Sequence, residues 1–99
     1  MNNDIRNALL DLFSACLEVN GAGYWHAHMG YSGHVDKVHV NIVPATTLYA
    51  EGSDYEYELY EDVYICRTLG GTPEQVAANI AELAAKVNEF LQPAKEEAA

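Results

Sequence analysis

The sequence predicts a two-layer α+β domain: an antiparallel sheet of three or four strands with an N-terminal and a C-terminal helix packed on one face, in the order αβββα. Three observations predict it. Apolar residues recur at helical spacing near both ends of the chain, at residues 4–19 and 72–91. Between them, the run from Tyr24 to Val43 alternates in the manner of two strands. The length, 99 residues, suits one core rather than two, and nearly half the residues are apolar, which favours a packed globule over a disordered chain. We expect residues 1–92 to form a single domain and 93–99 to be a charged, flexible tail.

The first helix is read from Asp4 to Val19, about four turns. Ile5, Ala8, Leu9, Leu12, Phe13, Cys16 and Leu17 make its apolar stripe, and Arg6, Asn7, Asp11, Ser14 and Glu18 its polar side. Asn3 or Asp4 supplies a cap, and Asn20, Gly21 and Gly23 supply the stop. A hairpin follows. Trp25, Ala27, Met29 and Tyr31 share one side of its first strand, and Tyr24, His26 and His28 the other. In its second strand Val38, Val40 and Ile42 alternate with Lys37, His39 and Asn41, so the hairpin has a dry face and a histidine-bearing face. Gly30 to Gly33 form the expected connection, Pro44 ends the second strand, and residues 45–50 could continue as a short extended segment.

Composition then changes. From Glu51 to Asp62 there are six carboxylates and no basic residue, interleaved with Tyr55, Tyr57 and Tyr60. One or two strands are expected from Tyr55 to Arg67, with a bulge or turn near Glu61, whose charge would otherwise fall on the dry face. Thr72 as cap, Pro73 at the first helical position and Gln75 reaching back then announce the second helix. Val76, Ile80, Leu83, Ala84, Val87, Phe90 and Leu91 line its apolar face, and Pro93 ends it. Both helices bury their stripes on the dry sheet face, which leaves the other face to water and makes it the place to look for function.

Fifteen Asp and Glu against five Lys and Arg give a formal net charge of −10. Such a chain repels phosphate backbones and anionic lipid, so direct nucleic-acid or membrane binding is disfavoured and a basic protein partner is favoured. No apolar run approaches the roughly 20 residues of a membrane span, and Met1 leads into Asn2, Asn3 and Asp4 rather than a basic leader, so a cytoplasmic protein is expected. Cys16 and Cys66 lack metal-type spacing and are read as buried thiols.

No motif names a reaction. Gly70 and Gly71 open a helix without the Lys and Ser or Thr of a phosphate loop, and neither Ser14, Cys16 nor Cys66 sits in a nucleophile motif. A binding protein is therefore expected, not an enzyme, with no cofactor. The candidate contact residues are Asp54, Tyr55, Glu56, Tyr57, Glu58, Tyr60, Glu61, Asp62 and Tyr24. Regularly spaced negative charge between flat aromatic rings presents to a basic partner what a nucleic acid presents; charges that keep an edge strand from pairing with another chain are the structural alternative. A second reading is a zinc site. His26 and His28 point the same way from one strand, and a paired strand could bring His39 beside them. A third is a homodimer packed through the wet sheet faces.

The helix, three strands, helix order between Asp4 and Leu91 resembles that of double-stranded RNA-binding domains. Where those carry lysines at the start of the last helix this chain has Pro73, Glu74 and Gln75, so RNA binding is not carried over with the topology. In size, acidity and lack of a catalytic motif the chain is also similar to small phage-encoded inhibitors of bacterial defence such as anti-CRISPR proteins. That similarity implies inhibition of a nucleic-acid-binding protein.

Overall fold

The computed structural model describes residues 2–47, 56–65 and 70–92. Helix α1 (Asn3–Ala22) is followed by strands β1 (Trp25–Ser32), β2 (Lys37–Pro44) and β3 (Leu59–Tyr64), by helix α2 (Pro73–Asn88) and by a closing 3-10 turn (Glu89–Leu91). The expected αβββα order is what the chain adopts, with three strands among the described residues in the antiparallel order β1-β2-β3. Both helices lie on one sheet face. Among the described residues no helix is long and apolar enough to cross a membrane.

Helix α1 is longer than its periodicity suggested, and its cap is one residue earlier. Asn2 Oδ1 accepts hydrogen bonds from the Asp4 and Ile5 amides at 2.7 and 3.1 Å, satisfying donors that have no partner within the helix. Gly21 continues the helix, and only Gly23 takes the left-handed conformation that ends it (φ 87°). The start of α2 follows the sequence closely: Thr72 and Gln75 form a reciprocal capping box with Pro73 just inside.

The core is built from Ile5, Leu12, Cys16 and Val19 of α1, Val38, Val40 and Ile42 of β2, Trp25 and Ala27 of β1, Val63 of β3, Ile65, and Val76, Ile80, Leu83 and Val87 of α2. Burial pushes the Cys16 thiol pKa up, as desolvation penalises the thiolate; Cys66 lies outside the described residues. Phe13 and Leu17, expected in the stripe, are not in the core. Leu12 is fully buried, whereas Phe13, Leu17 and Leu10 are between 53 and 59% exposed. At about 100° per residue, α1 carries two adjacent apolar stripes, and the sheet and α2 cover one. At the far end Leu91 is exposed, while Phe90 packs edge-on against Trp25 at 5.1 Å and the Trp25 indole donates to the Gln92 carbonyl at 2.9 Å.

Three further expectations change. The hairpin connection is residues 33–36, not Gly30 to Gly33: β1 runs on through Ser32, and Asp36 takes the left-handed position (φ 51°) that short polar side chains tolerate. Tyr31 donates its hydroxyl proton to the Asp36 carboxylate across the loop. Residues after Pro44 turn instead of extending, with the Thr47 amide on the Pro44 carbonyl at 2.9 Å, and 48–50 lie outside the described residues. β3 runs without a bulge: Glu61 stays in register opposite Val40 on the helix-covered face, and Lys86 of α2 meets it at 2.8 Å.

The Tyr31–Asp36 and Lys86–Glu61 contacts set a pH limit. The Asp36 hydrogen bond raises the Tyr31 pKa, with some burial and the Asp36 charge adding to it. The Glu61 hydrogen bond raises that of Lys86, against partial burial and aided by the charges of Glu61, Glu82 and Glu89. Both folded-state values lie above the unfolded ones. Each contact therefore contributes fully below the ordinary Tyr and Lys values, about 10 to 10.5, and is lost as pH rises through the raised values. Thermal midpoints should fall above about pH 10, and a Tyr31→Phe, Lys86→Met variant should show a flatter decline there. An equally steep decline in the variant would remove these two groups as the cause.

Candidate functional site

The sheet face turned away from the helices is set by register. His26 pairs with Val43, His28 with Asn41, Gly30 with His39 and Ser32 with Lys37, while β3 adds Tyr60 opposite Asn41, Asp62 opposite His39 and Tyr64 opposite Lys37. Paired residues share a face, so one period-2 pattern places the histidines, the lysine and the β3 tyrosines together. The face is not uniformly wet. Val43 is only 1% exposed, which closes the end beside His26, and the exposed part centres on His28, Tyr60, Asp62 and Tyr64.

At one corner a cation is already held. Lys37 Nζ lies 3.5 Å from Asp62 Oδ2 and 5.7 Å from the centre of the Tyr64 ring, so one ammonium is shared between a carboxylate and an aromatic face. Beside it Tyr57 and Tyr60 meet edge to face at 5.1 Å, and Tyr60 is 61% exposed. The Glu58 amide donates to the Ile42 carbonyl at 2.9 Å, which anchors the stretch leading into β3 to the end of β2. Glu56 and Glu58 are exposed on that stretch.

Of the contact residues named from sequence, Tyr57, Glu58, Tyr60 and Asp62 come together at this edge, and Glu56 is exposed two residues before Glu58. Tyr24, exposed, precedes β1 and receives the Ala45 amide on its carbonyl at 3.3 Å. Glu61 does not join them, because alternation sends it to the helix-covered side and onto Lys86. Asp54 and Tyr55 lie outside the described residues. Sequence reasoning left out Tyr64 as a cation platform. Its parity with Tyr60 and Asp62 was the signal that could have found it.

The histidines are spread along the face. His28 is diagonal to His39, while His26 lies four positions from the level of His39, about 13 Å along the strand. The His39 ring lies over Gly30, where an added Cβ would fall within 2.9 Å of Nε2, so glycine at 30 makes room for it. Among the described residues, no group of three or more His, Cys, Asp or Glu side chains is placed to hold a metal ion.

Comparison of the chain with protein-family models, with curated proteins and with solved structures finds no match.

Proposed function

We propose that the chain is a non-enzymatic, cytoplasmic binding protein that engages a basic protein through the outer sheet face, with Tyr57, Tyr60 and Tyr64 as aromatic platforms and Glu56, Glu58 and Asp62 as the acidic rim. One observation carries the reading. Lys37 rests between Asp62 and the Tyr64 ring, which is how this surface would receive a lysine or arginine from outside. Tyr60 and Tyr57, in edge-to-face contact and with Glu58 nearby in sequence, offer aromatic faces and a carboxylate of the same kind. A net charge of −10 adds long-range attraction for a basic partner. Lysine- and arginine-rich surfaces are those that bind nucleic acid, so the concrete form is an inhibitor that occupies a nucleic-acid-binding surface, of the kind phages use against bacterial defence.

The test is capture of partners at low and high salt by the wild-type chain and by a Glu56→Lys, Glu58→Lys variant. A basic nucleic-acid-binding protein held by the wild type, released by salt and not recovered by the variant is expected. Equal recovery by both chains would overturn the reading.

A further inference from the structure

We infer that α1 carries a second interface, used by another copy of this chain, on the flank opposite α2. The inference is independent of the outer sheet face. Helix α1 has three sides. Ile5, Ala8, Leu12, Ala15, Cys16 and Val19 enter the core. Its carboxylates, Asp4, Asp11 and Glu18, recur every seventh residue and so form one row, beside the groove where Asp4 and Asp11 face the alanines of α2. The third side carries Arg6, Leu10, Phe13 and Leu17, all exposed, with Ser14 and Asn20 at its borders. Asn20 fixes where that side looks: its side-chain amide bonds the Ala27 carbonyl at 3.0 Å and accepts the Ala27 amide at 2.8 Å, which sets it along the outer edge of β1. In a chain with fifteen acidic residues, this side has none.

A surface that is apolar and free of carboxylate is not built for the basic partner proposed for the sheet. It does fit itself. In an antiparallel pair of α1 helices related by a two-fold axis beside Phe13 and Ser14, Leu10 meets the second copy's Leu17, the two Phe13 rings adjoin, and Arg6 comes over the last turn of the other helix. That last turn carries no basic residue of its own, so the negative end of the α1 dipole favours an incoming guanidinium. Three large apolar side chains per copy cover less than the roughly 800 Å² of a standard interface, so the association should be weak and concentration-dependent.

Charge gives the proposal its own signature. Two copies at −10 repel through their sheet faces and acidic rows, so salt should tighten this dimer by screening, the reverse of its effect on a basic partner. The experiment is sedimentation of the full chain up to about 100 μM at low and high salt, a range that reaches micromolar affinities. We expect a monomer–dimer equilibrium that shifts toward dimer with salt and weakens at least tenfold, about 1.4 kcal/mol, in Phe13→Glu and in Leu17→Glu, both at exposed positions and both with unchanged melting temperature. In a Cys66→Ser background, Ser14→Cys should cross-link to a covalent dimer on mild oxidation. A chain that stays monomeric throughout, or a dimer that persists in Phe13→Glu, would overturn the inference.

Discussion

Leu12→Ala is expected to remove about 2–5 kcal/mol of folding stability, while Phe13→Ala and Leu17→Ala should each change it by about 0.5 kcal/mol or less. Leu12 is fully enclosed between the sheet and α2, so its truncation leaves a cavity, whereas its neighbour Phe13 has water on more than half its surface. For a domain of this size, whose total stability is of the order of 5–15 kcal/mol, the first change takes a large part and the others almost none. Denaturant titration of the three variants at constant slope checks this. A loss at Phe13 comparable to that at Leu12 would mean that α1 is rotated from the orientation described.

The second large effect is at the outer sheet face. Tyr60→Ala should weaken binding to the proposed basic partner by about thirtyfold, the result of removing about 2 kcal/mol from a central aromatic contact. Tyr60 is among the most exposed residues of the sheet and touches Tyr57 only edge to face, so the fold should be unaffected. Glu58→Lys should act differently, slowing association and reducing the dependence on salt, because a charge at the border of an interface mainly steers the approach. Binding kinetics at several salt concentrations separate the two. If Tyr60→Ala bound as tightly as the wild type, the tyrosines would not be the anchors.

What could be read in advance divides along a physical line. The capping box at Thr72 and Gln75 and the alternation of Lys37 to Val43 are local signals, and both elements formed where they pointed. The choice between two stripes on α1 is not local. Leu9, Leu12 and Cys16 have the same spacing as Leu10, Phe13 and Leu17, and only the position of Asn20 against β1 and of α2 on the other side decides which is covered. Glu61 was visible as a misplaced charge, but its answer lies 25 residues away in Lys86, so a bulge seemed required where an ion pair serves. That Tyr60, Asp62 and the histidines share one face is a matter of parity. Which of them stand together depends on register, set by the connection at residues 33–36, where the left-handed Asp36 carried no strong sequence cue.

The outer face is tested most directly by titrating the isotope-labelled chain with an arginine-rich peptide at low salt and following each backbone amide. Saturable shifts are expected, concentrated at Tyr57 to Tyr64 with His28, His39 and Lys37 and lost at high salt, with Leu10, Phe13 and Leu17 unmoved. Shifts centred on α1, or none that saturate, would contradict it.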